Sequence, residues 1–142
     1  MSDPVKKVVI VPCSGIGKSF GTVSRVAAYQ VTETDRPDQT QLIPLALLVM
    51  GDEESRKLLA ESQAITVDGC KLACATKMVQ QSGGQVARDY AVLDVYRRYR
   101  DFKPQGIAEL NEEGEKLAAA LAKEIDAVVD ELSAHKEGGS HA

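Results

Sequence analysis

The stretch Ile65-Thr66-Val67-Asp68-Gly69-Cys70-Lys71-Leu72-Ala73-Cys74-Ala75 decides how this chain is read. It opens on the end of a buried strand, Ala64 to Val67, whose residues are apolar or β-branched. Asp68-Gly69 makes a tight turn. A helix is expected from about Lys71 to Gln81, stopped by Gly83-Gly84. Two thiols sit at the turn. Cys70 and Cys74 are four residues apart, so on a helix they would share one face.

The same strand–turn–helix plan occurs near the start. Val5 to Val11 is a β-branched run suited to a strand covered on both faces, and Pro12 ends it. Cys13-Ser14-Gly15-Ile16-Gly17-Lys18-Ser19 follows, and then a helix from about Thr22 to Gln30 with Val23, Val26 and Ala27 on one face. Two strand ends thus deliver all three cysteines of the chain toward one edge of a sheet. In open parallel sheets, ligands gather outside the carboxyl ends of the strands. A helix N-terminus favours the thiolate, the form that binds metal.

The remaining elements complete an α/β domain. Thr32 to Gln41 reads as a surface loop. Pro44 to Glu61 reads as helix, broken near Gly51, with Asp52 as a cap. Val86 to Leu93 reads as a third strand, whose polar residues suit a sheet edge. Asp94 to Phe102 is a short helix or irregular segment. Asn111 caps a long helix from about Glu112 to Leu132, with its buried stripe at Leu117, Leu121, Ile125, Val128 and Leu132. The expected fold is one small layered α/β domain over residues 1–133. It has a mostly parallel sheet of about three or four strands, flanking helices and a long C-terminal helix. Residues 134–142 are expected to form a disordered tail.

Composition narrows the function classes. The 142 residues carry a net charge of −4, which argues against non-specific nucleic-acid binding. The longest apolar run, Ile43 to Met50, is far too short to span a membrane. Met1-Ser2-Asp3-Pro4 does not open a signal peptide, so a cytoplasmic protein is expected. Three cysteines in that setting point to metal binding or thiol chemistry rather than a disulfide framework.

Three readings of the site follow. The first is a metal site of Cys13, Cys70 and Cys74, with Asp68 the nearest further oxygen ligand. Asp68 has a competing role in holding the turn or capping the helix. Thiolates select zinc, an Fe–S cluster or copper(I). Three protein ligands leave a fourth position open, for water, Met50 or an exogenous group. The second is a phosphate site at Gly15, Gly17, Lys18 and Ser19. Gly17-Lys18-Ser19 resembles the end of a Walker A loop, but the first glycine of that pattern would fall on Pro12. The third is thiol redox chemistry between Cys70 and Cys74, whose spacing departs from C-x-x-C. His135 and His141 lie at the tail, where histidines are ordinarily solvated. Arg97, Arg98, Arg100 and Lys103 read as a solvated basic face. No general base is identifiable, so no enzymatic activity is assigned, and the partner stays open.

Pro12-Cys13-Ser14-Gly15, Leu45-Ala46-Leu47-Leu48 with Gly51-Asp52-Glu53-Glu54, and Val67-Asp68-Gly69-Cys70 with Cys74-Ala75 together resemble the DGC-domain family. That family comprises proposed zinc-binding proteins named for the Asp-Gly-Cys motif, here Asp68-Gly69-Cys70. The likeness spans about residues 7 to 95. It implies a metal-binding role, with zinc the expected metal, through cysteines that match Cys13, Cys70 and Cys74. It implies little about activity. In one respect the chain departs from the pattern. Members of the family commonly carry a fourth cysteine just before the Leu-Ala-Leu-Leu segment, and here that place is Pro44. A closed four-cysteine site is therefore not expected.

Overall fold

The computed structural model describes residues 7–13, 19–69, 73–105 and 110–139, the side chains of 134–139 excepted. Four strands form one all-parallel sheet in the order β2-β1-β3-β4: β1 (Val8–Pro12), β2 (Thr40–Leu42), β3 (Gln63–Asp68) and β4 (Gln85–Ala91). The helices are α1 (Ser19–Tyr29), α2 (Leu45–Met50), α3 (Glu53–Glu61), α4 (Cys74–Gln81), α5 (Val92–Arg98) and α6 (Glu112–Gly139). The expected α/β domain with its long C-terminal helix is what forms. Helix α6 runs on to Gly139, past the expected end near Leu132, and residues 140–142 of the expected tail lie outside the described ones.

Alternation along the strands builds two cores. Val8 and Ile10 of β1 and Ile65 and Val67 of β3 point to one face, where Val23 and Ala27 of α1, Val95 of α5 and Leu117, Leu121 and Ile125 of α6 cover them. Val9, Val11 and Cys13 point to the other face, with Ala64, Leu48 of α2, Leu59 of α3 and Val79 of α4. This is the period of two expected of a strand buried on both sides. Burying each of the large aliphatic side chains contributes roughly 1.5–3 kcal/mol.

The topology fixes where a ligand can sit. From β1 the chain crosses by α1 to β2 on one side. It returns across the opposite face by α2 and α3 to β3 on the other side, and then moves outward by α4 to β4. Steps in opposite directions over opposite faces give all three crossovers the same hand, as the rule for parallel strands requires. The direction of winding therefore reverses between β1 and β3. That is the switch point at which open α/β sheets bind ligands.

Several local expectations change. The segment expected as a loop begins as helix: α1 runs on into a π-helical turn, Gln30–Asp35. Thr40–Leu42 is then an edge strand paired with Val8–Ile10. Three residues, one of them exposed glutamine, are too few to show a pattern. Val26, expected on the buried face of α1, is 39% exposed. The break at Gly51 is present. Asp52 caps α3 by accepting from the Ser55 amide (3.0 Å) and hydroxyl (2.6 Å), and the Ser55 hydroxyl foremost holds its carboxyl below the usual range. Helix α4 stops at Gly83, whose φ of +86° is a left-handed turn that favours glycine. Strand β4 lies at the sheet edge as expected. One extra residue, Ala87, shifts its register against β3 between Ala64 and Ile65.

The π-helical turn is bolted to α6 by charge. Arg36 donates from Nε and Nη2 to the two carboxylate oxygens of Asp130, at 2.8 and 2.9 Å. This bidentate pair is stronger than an ordinary surface ion pair. Beside it, Asp35 and Asp126 face each other across the same contact. Burial foremost, then the hydrogen bond and charge of Asp35, pushes Asp126 up to about 7. The hydrogen bond with Asp126 foremost, then those of Gln30 and the charge of Arg36, holds Asp35 below its usual value. One proton therefore serves the pair and resides on Asp126.

The sign of the pH effect follows from these directions. Unfolded, an aspartate loses its proton near pH ~3.9. Folded, Asp126 keeps it to about 7. The contribution is complete below about pH 4 and is lost as pH rises to about 7. Asp126→Asn supplies a permanent donor to Asp35. The variant should match wild type near pH 4 and exceed it at pH 8 by on the order of 1 kcal/mol. Urea denaturation across this range checks it, and parallel curves would reject the shared proton.

Candidate metal centre

Cys13 directly follows β1 and is tied to β3: its amide donates to the Val67 carbonyl at 2.8 Å. The side chain lies 7% exposed on the face covered by α2, α3 and α4. Its sulfur accepts the backbone N–H of Gly69 at 3.1 Å. It also lies 3.4 Å from the Ser24 hydroxyl of α1. That hydroxyl gives its proton to the Gly21 carbonyl at 2.6 Å, so the neutral Cys13 thiol is the donor to Ser24. On ionisation, Ser24 can turn its proton to the sulfur. The thiolate then has two donors, one from the backbone and one from the hydroxyl.

Gly69 is required here by space. A Cβ at this position would fall 2.9 Å from the Gly21 nitrogen, 3.0 Å from its Cα and 3.1 Å from the Phe20 carbonyl carbon. The turn after β3 therefore packs directly on the backbone of the first turns of α1. Without that approach the Gly69 N–H would not reach Cys13. The Asp-Gly-Cys motif thus has a steric reason for its glycine.

Asp68 does what its competing reading expected. It is buried, and its even position along β3 points it to the face of α4. Oδ1 accepts the Ala75 amide at 2.7 Å, and Oδ2 accepts the Thr76 amide at 3.3 Å and the Thr76 hydroxyl at 2.9 Å. Thr66 joins the network through Thr76, the two hydroxyl oxygens lying 2.6 Å apart. With the Thr76 proton directed to Asp68, Thr66 is the donor in that pair. The carboxylate meets the amides that a helix start leaves unpaired. It therefore clamps α4 onto the end of β3.

The helix expected from Lys71 starts at Cys74. Ala73 precedes it with φ +54° and ψ +46°, a left-handed conformation that costs a non-glycine residue roughly 1–3 kcal/mol. The expected relation of Cys70 to Cys74 falls on residues outside the described ones. Cys74 is exposed, and neither it nor Cys13 is in a disulfide. Cys70, the next residue after Gly69, lies outside the described residues, as do Gly15, Gly17 and Lys18 of the phosphate reading. Ser19 opens α1. Among the described residues, no three His, Cys, Asp or Glu side chains form a group that could hold a metal. The structure brings Cys13, Asp68 and Gly69 together; Cys74 follows at the start of α4. Ser24 was not foreseen, because nothing in a small-residue helix marks one serine as a sulfur partner.

Pro44 stands in the wall of a groove of about 280 Å³ that Cys13 also lines. Pro44 therefore lies on the Cys13 side of the candidate site. The basic face is partly neutralised: Arg97 pairs with Asp94 at 3.4 Å and Arg98 with Glu124 at 2.5 Å. The side chain of His135 and the whole of His141 lie outside the described residues. No helix among the described residues is long and apolar enough to cross a membrane.

Replacing Gly69 by alanine should push the turn off α1 and break the bond to Cys13. The expected loss is about 1–3 kcal/mol, read as a lower urea midpoint. An unchanged midpoint would show that the close approach is not required.

Neither a curated protein nor a solved structure matches this chain. A family model of the DGC domain matches residues 9–120, which include all but the first residue of β1, Asp68-Gly69-Cys70 and the start of α6. The chain belongs to the DGC-domain family.

Proposed function

We propose that this protein binds a metal ion, zinc, through the thiolates of Cys13, Cys70 and Cys74 at the carboxyl edge of the sheet. The observation that carries the reading is the 3.1 Å contact from the Gly69 amide to the Cys13 sulfur. It draws the residue just before Cys70 onto the thiol at the end of the neighbouring strand. Membership of the DGC family agrees with a metal-binding role. The side chains fit a thiophilic ion: a buried sulfur that accepts from the Gly69 amide and borders the Ser24 hydroxyl, and an exposed sulfur at a helix start.

Asp68 is a positioning residue in this scheme. Its oxygens are engaged by α4, and it holds Cys74 near the end of β3. Pro44 offers no ligand, so the fourth position is open to water or a small molecule. Bound there, zinc supplies a Lewis acid to whatever occupies that position. The chain's own part is to hold the sulfurs, to donate hydrogen bonds from Gly69 and Ser24, and to cover Cys13 with apolar side chains.

Metal analysis of protein purified without oxygen tests the reading. About one zinc per chain is expected, lost in Cys70→Ser. A brown protein with visible absorption would replace zinc by an Fe–S cluster. Metal-free protein with three independently titrating thiols would reject the site. Asp68→Asn should keep the zinc stoichiometry at saturation but lower stability by about 1–2 kcal/mol through the lost clamp on α4. Loss of stoichiometric zinc in that variant would instead make Asp68 a ligand.

A further inference from the structure

The contact between the π-helical turn and α6 is short of one donor. Asp126 is only 9% exposed, and its Oδ1 is cut off from water with no hydrogen-bond partner among the described residues. The charged groups that act on it are Asp35 and Arg36 at the end of the turn and Asp130 of its own helix. Asp35 is an acceptor like itself. The Arg36 guanidinium is committed: Nε and Nη2 hold Asp130, and Nη1 donates to the Asp35 carbonyl at 2.9 Å. The other elements packed on α6 do not answer Asp126. Arg98 of α5 is bound to Glu124, and Tyr90 of β4 donates to the Glu124 carbonyl. Helix α1 and strand β1 meet α6 with Val23, Ala27 and Val8. An ionised Asp126 therefore sets a second buried negative charge against Asp35 with no new donor to meet it.

The same turn holds the edge of the sheet. The Arg36 carbonyl accepts from the Gln39 and Thr40 amides at 3.2 and 3.1 Å and from the Thr40 hydroxyl at 2.7 Å. Thr40 opens β2, whose three residues pair only with β1. At its two ends the Gln39 carbonyl accepts the Val8 amide at 2.9 Å, and the Ile43 amide donates to the Ile10 carbonyl at 3.0 Å. Arg36 is thus the joint between α6 and β2. We infer that the proton shared by Asp126 and Asp35 is a latch: with it the segment from Gln30 to Ile43 stays docked, and without it that segment opens while the rest of the sheet stays folded. The segment leads into Pro44, in the wall of the groove that Cys13 lines, so its opening loosens that wall. None of the latch groups is a proposed metal ligand. Folded, Asp126 keeps its proton to about 7, whereas an aspartate in the opened segment loses it near pH ~3.9. The latch is therefore complete below about pH 4 and is lost as pH rises through about 7. From about pH 6 to about pH 8 the opening constant should rise about tenfold.

Amide hydrogen exchange of the 142-residue chain, corrected for the intrinsic rate at each pH, reads the opening. The Arg36, Thr40 and Ile43 amides report the segment, and the Cys13 amide, bound to the Val67 carbonyl, reports the central sheet. At about pH 8 the segment amides should open at least about tenfold more often than that of Cys13. Low urea should leave their rates unchanged, because a local opening exposes little surface. Their opening constants should fall about tenfold at about pH 6. In Asp126→Asn the segment should keep at about pH 8 the low opening that wild type shows at about pH 6. Asp35→Asn, which gives an ionised Asp126 a donor, should remove the pH response by an independent route. Segment amides that open no more often than Cys13 would reduce the effect to global stability and overturn the latch. So would a wild-type segment indifferent to pH, or a tenfold rise that persists in both variants. A failed zinc assay would leave these outcomes standing, since none is read at the metal.

Discussion

The approach of Gly69 to α1 is the contact on which the rest of the crevice depends. It sets how near the end of β3 comes to the first turns of the helix that leaves β1. Once that spacing is set, the Gly69 amide reaches the Cys13 sulfur. Asp68, one residue earlier, faces the opposite layer and holds α4. Two successive residues therefore join the helical layers on both faces of the sheet to one point. The loops after β1 and β3 must part to opposite faces there, because the winding reverses between those strands.

The second feature of the centre is its unequal thiols. Cys13 is covered and hydrogen-bonded, and Cys74 is exposed at the start of a helix. Left-handed Ala73 lies immediately before it. Non-glycine residues persist in that conformation only where their surroundings over-determine it, and here the Asp68 carboxylate supplies that restraint. The backbone is bent at a thiol-bearing turn, and the Asp68 carboxylate is engaged by the helix that follows it.

What was legible in the sequence divides along physical lines. The buried strands were readable because β1 and β3 are covered on both sides and so carry β-branched runs. The stripe of α6 was readable because helical spacing persists over many turns, and the family motif was readable at Asp68-Gly69-Cys70. Strand β2 was not, because Thr40-Gln41-Leu42 owes its conformation to pairing with β1 rather than to its own pattern. Val26 looked buried because periodicity ranks residues on a face without knowing how wide the covered stripe is. The start of α4 came later than expected, at Cys74 rather than Lys71, because Ala73 stands at positive φ and periodicity carries no signal for that. The pair of Asp35 and Asp126 joins residues far apart in the chain, so no local signal could announce it.

The sheet's borders bear on how copies of this protein meet one another. On one side the outermost strand is only three residues long. On the other, the additional residue Ala87 disturbs the ladder, and Arg88 and Asp89 put charge along an exposed strand. A neighbouring chain looking for a row of free amides and carbonyls finds a short one and a kinked, charged one. Growth of the sheet from molecule to molecule is thereby discouraged at both ends. The helices instead carry the exposed large apolar side chains, Val49 and Met50 of α2 among them.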